Sequence, residues 1–474
     1  MNRKDPKRKE QLNAVSEPFP TALQELDEVI QKVVSYISDF TKKKSDFTRN
    51  RKLNAEDTIK TALNMAGQSI NTELIKAFPD ISDRMTASAY EQQKAKLTQE
   101  LMLHIFNEYN KTDNSKLNLY EGKYEIYAID GCDFNIPYQS NSKYAMESSP
   151  GRNRKDGEPK KQSSVLHANI LYNLTRKTIA DIVIQPKSEV DERSAAIEML
   201  KRLNPPNPYI VIMDRGYDGF NMTEHLNRLN GNGYYVLRTK TGQGGISEIR
   251  NLPDCECDVD MIFRVTTSSY YKRTHPEENL HLINRIKHRH KKYLSPNTKN
   301  QRWDFDDFLE IETRTVKFQI NDPDTGKPEW EVLETSLDRN EFPVWKMKEL
   351  YFKRWGIETS FRDLKYSLGA VQFHSRRDDF IEMELISHLI MYNAVSRIIR
   401  ETEVPKSDNR KYEYAISFKD AVTIVRKYFR IKCKDDPFGI YAEIQRYIVP
   451  IQPGRKDKRR LKPKSAVSFM YRVA

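Results

Sequence analysis

Apolar positions recur every three to four places through the first 115 residues. Amphipathic stretches run from Pro20 to Phe40, Asn54 to Asn64, Ser69 to Ala77 and Ala87 to Tyr109. That is the period of helices burying one face. A basic connector, Lys42 to Lys52, and the break Phe78-Pro79-Asp80 separate them. The pattern predicts an N-terminal helical domain over 1–115. Its basic connector suits a reader of DNA ends, and a helical interaction domain gives the same pattern.

From Lys123 the period shortens to that of strands. Tyr124-Glu-Ile-Tyr-Ala-Ile-Asp130-Gly-Cys-Asp133 is a short β-rich run expected to finish as a strand at Asp130-Gly131. Val165 to Tyr172 and Thr178 to Gln185 alternate around Asn173-Leu-Thr-Arg176, a hairpin signal. Asp191 caps a predicted helix through Leu203. Pro208 to Met213 is a continuous apolar run, expected of a strand buried on both faces, and it stops at Asp214-Arg-Gly216. A helix over Phe220 to Leu229 and a strand over Gly233 to Arg238 follow. Strand, hairpin, helix, strand, helix, strand is the order of a ribonuclease-H-like core.

Between Thr239 and Arg339 the chain is polar and β-rich, with strands predicted over Phe308 to Ile320 and Glu329 to Leu337 around the hairpin loop Asn321 to Gly326. Helical spacing resumes at Val344 and runs to Ile399, broken near Gly369 to Ser375, with a long amphipathic helix from Asp378 to Arg397. The expected fold is α/β: a ribonuclease-H-like mixed sheet core interrupted by a β-rich insertion, with an N-terminal helical domain. The boundaries expected are 1–115, 116–238 (core, first part), 239–340 (insertion), 341–440 (core, second part) and 441–474 (basic tail).

Two strands thus lead to acids, Asp130 and Asp214, each followed by a turn glycine. In open α/β sheets such positions face the ligand crevice. A third acid, Glu358, falls in Tyr351-Phe-Lys-Arg354-Trp-Gly-Ile-Glu358-Thr-Ser-Phe-Arg-Asp-Leu-Lys365. On one helix at about 100° per residue, Tyr351, Arg354, Glu358 and Lys365 form one stripe. Such a stripe is ordinarily a solvated salt-bridge face, and each Asp alone could be a turn-former or cap. Three convergent acids would repel unless a hard divalent cation neutralised them, and carboxylates suit Mg²⁺ or Mn²⁺.

The net charge of +12 argues for a polyanionic partner, most simply nucleic acid. Two clusters carry the excess: Arg285 to Lys292, and the tail from Arg455 to Arg472. No window approaches the apolar length of a membrane span, and the charged N-terminus has no apolar stretch behind it. Cys132, Cys255, Cys257 and Cys433 are few and scattered, as expected of reduced thiols. A cytoplasmic protein with no membrane partner is expected.

The chain resembles, over roughly residues 45 to 400, the DDE transposases of bacterial insertion sequences. In particular it resembles the insertion-sequence-four family, marked by a Y-x₂-R-x₃-E-x₆-K signature. Tyr351, Arg354, Glu358 and Lys365 meet that spacing without a gap, and Asp130 and Asp214 match the first two acids. Cys132 departs from the hydroxyl residue common after Asp-Gly. Asp133 and Asp218 are nearby acids that the match does not favour.

The resemblance implies a cut-and-paste transposase, an endonuclease that also transfers strands. Asp130, Asp214 and Glu358 would be catalytic and would hold two Mg²⁺ (or Mn²⁺) ions. Tyr351, Arg354 and Lys365 would contact DNA phosphates. Trp355, about 100° round from Arg354, is set aside as the residue that stacks a flipped base, and an aromatic of the insertion such as Trp303 or Trp330 stays open for that role without an assignment. The implied partners are double-stranded DNA (terminal inverted repeats and target) and a second copy in a synaptic dimer, acting at the bacterial nucleoid. A nuclease that cuts without joining, or a catalytically silent DNA-binding regulator, are the alternatives.

Overall fold

Segments of the chain far apart in sequence build two units, 1–115 with 363–474 and 116–362. The computed structural model describes residues 21–49, 51–147, 162–242, 245–285, 300–321, 327–405, 411–429 and 439–452. The basic tail beyond residue 452, most of the Arg285–Lys292 cluster and the loop after Asn321 lie outside these.

In the unit formed by 116–362, the strands that build the sheet are β1 (Glu125–Ile136), β2 (Ala145–Glu147), β3 (Gln162–Asn173), β4 (Thr178–Pro186), β5 (Tyr209–Met213), β6 (Gly233–Arg238), β7 (Cys257–Thr266), β8 (His281–Leu282), β9 (Phe308–Asn321) and β10 (Pro328–Thr335). Their order is β2-β3-β1-β5-β6-β10-β9-β7-β8, with β4 on β3. The three central strands β1, β5 and β6 are parallel. β3 and β4 form the predicted hairpin, and β10, β9 and β7 are antiparallel. The fold is thus mixed α/β. Through β10 the strands expected of the insertion extend the central sheet, pairing Leu333 with Arg238.

Alternation along β1 sorts its side chains between two faces. Tyr127 and Ile129 join Val211, Met213 and the helices Glu192–Arg202 and Phe220–Asn227. Ile126 joins Ile210, Ile212 and Val236 on the opposite face, with Met347, Leu350 and Tyr351 of the helix Val344–Phe352. Asp191 caps its helix as expected, accepting from the Ser194 amide at 3.0 Å. Arg314 on β9 fixes the approach to the Val344 helix. It binds Asp258 with both ends of its fork, at 2.9 and 2.7 Å, and donates to the carbonyls of Leu337 and Phe342. One planar group thereby joins the added strands to the segment leading towards Glu358.

Strand β1 departs from expectation. It does not end at Asp130 but continues to Ile136, because β3 pairs with it along that whole stretch.

The other unit is helical. Thr21–Ser35, Ala55–Asn64, Ile70–Ala77, Ala87–Lys94 and Glu100–Lys111 accompany Asp378–Glu401 and Phe418–Tyr428. Asn54, Ser69 and Thr86 cap three of them through their side chains. The Asp378–Glu401 helix was expected to be amphipathic. It is instead buried on nearly all sides, from Phe380 to Ile398. Its polar positions have partners inside: Glu384 accepts from the His374 amide at 2.9 Å, Arg397 meets Glu25, and Arg400 binds Asp113 at 2.7 Å. No described helix is long and apolar enough to cross a membrane.

Candidate functional site

The parallel register of β1 and β5 sets Ala128 beside Ile212. Two residues further along each strand stand Asp130 and Asp214, so adjacency follows from strand pairing. β5 ends at Met213, so Asp214 stands just past its carboxyl end, beside Asp130 within the longer β1. The Gly131 amide donates to Asp130 at 2.9 Å, and the Gly216 amide to Asp214 at 2.7 Å. Arg193 holds the second turn from behind, its Nε donating to the Gly216 carbonyl at 3.2 Å. The helix Trp355–Arg362 packs on β1 and carries Glu358.

Between the acids lies Arg354. Its guanidinium is 3.9 Å from Asp130 and 3.3 Å from Glu358, with only 8% of the side chain exposed. It also lies over the Tyr351 and Trp355 rings, at 5.9 and 5.1 Å. Burial pushes the Asp130 carboxyl up to about 7, and the neighbouring charges of Asp214 and Glu358 add to it; the Gly131 amide and Arg354 oppose the rise only in part. The pocket is short of positive charge.

Gly131 is not a strand-ending turn residue, as the Asp-Gly pair suggested. It is a strand position where a methyl group would meet the His167 ring at 2.6 Å and the Glu192 carboxylate at 2.8 Å. Asp133 belongs to that neighbouring network. His167 Nδ1 at 2.6 Å and Lys187 at 2.9 Å hold its carboxyl down at about 2, although burial alone would raise it. Asp218 is engaged elsewhere, accepting from the Lys240 amide at 3.1 Å.

The single-stripe projection of the signature does not survive. The first helix ends at Phe352, a turn carries Lys353 and Arg354, and a second helix starts at Trp355. A π-helical turn, Asp363–Ser367, then carries Lys365, across the boundary at which the units divide. Structure gathers Asp130, Asp214, Glu358 and Arg354, with the Tyr351 ring under Arg354; Lys365 belongs to the other unit. Trp355 is 48% exposed. Trp303 is buried, its indole N–H on the Asp306 carbonyl at 2.7 Å, and Trp330 lies under Lys317. Sequence reasoning missed Arg193, His167 and Glu192, which carry no motif. Tyr217, three places after Asp214, was visible but unread.

Asp218 and Glu334 form a second buried acid pair behind the site. Burial raises both carboxyls; Glu334 is raised further by Asp218, while Thr223 donates to it at 2.8 Å. One oxygen of each lacks a hydrogen-bond partner among the described residues. Carboxyls held above their unfolded values of about 4 bind protons that the unfolded chain releases. Their stabilisation is complete below that range and is lost as pH rises. Glu334→Gln is expected to flatten this decline, gaining roughly 1–2 kcal/mol at pH 8.5 relative to pH 5.5. Melting curves at the two pH values test it; parallel declines in variant and wild type would refute it.

Among the described residues no three His, Cys, Asp or Glu side chains are gathered closely enough to form a ready metal cage. The donor set nevertheless fits a hard divalent cation, since it is all carboxylate and the Asp130 carboxyl, raised to about 7 by burial and then by Asp214 and Glu358, lacks the positive charge that a cation would supply.

A mixed sheet that presents one carboxylate within a central strand and a second where the neighbouring parallel strand stops, with a third on a helix packed against them, defines a class of acid-centred α/β proteins. Residues 121–394 match the family of transposase DDE domains, and the chain belongs to that family. The matched span contains Asp130, Asp214, Tyr351, Arg354, Glu358 and Lys365. No curated protein matches. A cryo-EM structure of a piggyBac transposase synaptic complex with hairpin DNA is similar at 11% identity, covering 96% of this chain and 90% of that chain, with a TM-score of 0.39. A score of that size carries no argument.

Proposed function

We propose that this transposase cuts DNA at the ends of its element and joins the freed ends to target DNA, in the manner of the bacterial insertion-sequence-four family. The observation that carries the reading is the meeting of Asp130, Asp214 and Glu358, drawn from three separate stretches inside the DDE match. Asp130, Asp214 and Glu358 would hold Mg²⁺ or Mn²⁺, which when bound supplies Lewis-acid stabilisation of phosphate charge. In the first step water attacks phosphorus, the P–O3′ bond breaks, and a 3′-hydroxyl leaves. In the second that hydroxyl attacks a target phosphodiester, exchanging one P–O bond for another.

The chain's own part is positioning and charge. Arg354, supported by two rings, offers a planar fork to phosphate oxygens. Tyr351 and Lys365 would contact phosphates as well. The basic connector Lys42 to Lys52 would meet the duplex of the terminal inverted repeats, and two copies would pair the two ends.

The test uses a linear duplex carrying the sequences that flank the gene, with Mg²⁺. Glu358→Ala is expected to lose end cleavage and joining by on the order of 10³-fold, with DNA affinity within about twofold of wild type. Equal activity in both proteins would remove Glu358 from the site. Cleavage that never yields joined product would favour a nuclease.

A further inference from the structure

Beneath the acids lies a hydrogen-bond donor that nothing in the described structure uses. The Tyr217 amide donates to the Asp214 carbonyl at 3.1 Å, closing the turn that follows β5. The turn sends the ring to the face of the sheet opposite Tyr351, among Tyr127, Ile129, Met213 and Met222. The residue is 1% exposed, and its hydroxyl has no hydrogen-bond partner among the described residues. The charges that act on that hydroxyl are Asp130, Glu192 and Asp214, in that order, with Arg354 opposing. Asp130 stands within β1, Asp214 in the turn just past β5 and Glu192 at the start of the helix Glu192–Arg202, so the hydroxyl feels all three from the face that carries Ile129 and Met213.

Burying a hydroxyl without a partner forfeits its hydrogen bond to water and is unfavourable. Phenylalanine would fill the same space without that cost, and buried tyrosines ordinarily find a partner. The expense is explained if the hydroxyl acts on the acids in the working state. We propose that Tyr217 is a positioning residue, whose O–H donates to the Asp130 carboxylate and fixes its orientation for a divalent cation. Burial, together with the surrounding acids, keeps the phenol protonated, so it acts as a donor and no proton changes hands. Outer partners of this kind orient metal-holding carboxylates and tune affinity. The inference rests on the reading of Asp130 and Asp214 as metal-holding acids.

The test is Mn²⁺ binding to the full chain with end-bearing duplex, followed by electron paramagnetic resonance, for wild type, Tyr217→Phe and Asp214→Ala. Tyr217→Phe is expected to weaken Mn²⁺ binding about tenfold. The Mn²⁺ concentration for half-maximal end cleavage should rise by the same factor. DNA affinity should not change, and the melting temperature should hold or rise, because the unpaired hydroxyl is gone. A purely structural role predicts wild-type Mn²⁺ affinity in Tyr217→Phe, and that result would overturn the proposal. If Asp214→Ala loses Mn²⁺ while Tyr217→Phe does not, only the role of Tyr217 falls. If Asp214→Ala also binds normally, the reading of the acids falls with it.

Discussion

Asp130→Asn is expected to melt at a higher temperature than wild type at pH 8 while losing end cleavage. In the folded protein the Asp130 carboxyl is raised to about 7, first by burial and then by Asp214 and Glu358. In the unfolded chain it titrates near 3.9. A folded value above the unfolded one stabilises below about 4, and that stability is lost as pH climbs through about 7. At pH 8, without a bound cation, the folded protein therefore carries a buried charge facing two others. Asparagine keeps the shape and removes that charge. With 26% of the side chain exposed, solvent screens part of the effect, leaving a gain of roughly 1–3 kcal/mol. At pH 5.5 about half of the gain should remain, because the unfolded chain has already released this proton while the folded carboxyl keeps it, and the gain should vanish only below about pH 4. Activity should fall on the order of 10³-fold, the scale of removing one preorganised electrostatic group. Melting curves at both pH values, beside an end-cleavage assay, decide the matter. A variant no more stable than wild type at pH 8 would show that the acids are not under strain.

Glu125→Ala should produce the largest loss of stability, about 3–5 kcal/mol. Glu125 is fully buried at the other end of β1. It accepts from Arg176 Nε at 3.1 Å, Asn173 at 2.7 Å, Asn207 at 2.9 Å and the Tyr127 hydroxyl at 3.2 Å. One carboxylate thus joins β1 to the β3–β4 turn and to the segment entering β5. Removing it takes the carboxylate from the Arg176 guanidinium and the acceptor from the Asn173 and Asn207 side-chain amides around a position that is itself fully buried. Because β1 and β5 together place Asp130 beside Asp214, the damage should extend to the acids. Denaturant titration would reveal the loss as a lower midpoint with an unchanged slope. A change below 1 kcal/mol would mean that water replaces the carboxylate. Glu125→Gln, which can still accept two of these bonds, should lose less.

Both effects show how unevenly the site could be read from the chain. Tyr209 to Met213 announces a strand buried on both faces because a parallel central strand has no solvent side to mark with polar residues. Asp214 is legible for the same reason: it is the first polar residue after that run. Asp191 and Asn54 announce helix starts, since a short acceptor satisfies amides at the first turn wherever it lies. Asp130 was found for a partly mistaken reason. The strand continues beyond it, and what makes the position special is that β5 stops beside it.

The chain alone therefore determined where periods change, where helices begin, and which acids close an apolar run, because those features depend on neighbours a few residues away. Tertiary structure alone decided the rest. The break at Lys353 and Arg354 divides what the 3.6-residue period draws as one stripe, and it sets Arg354 between Asp130 and Glu358. The Asp378–Glu401 helix reads as amphipathic because Glu384, Arg397 and Arg400 look like a solvent face, yet Glu384 and Arg397 are buried and Arg400 is held by Asp113. Polarity in sequence records the chemistry of a side chain; whether water or a buried partner satisfies it depends on residues hundreds of positions away.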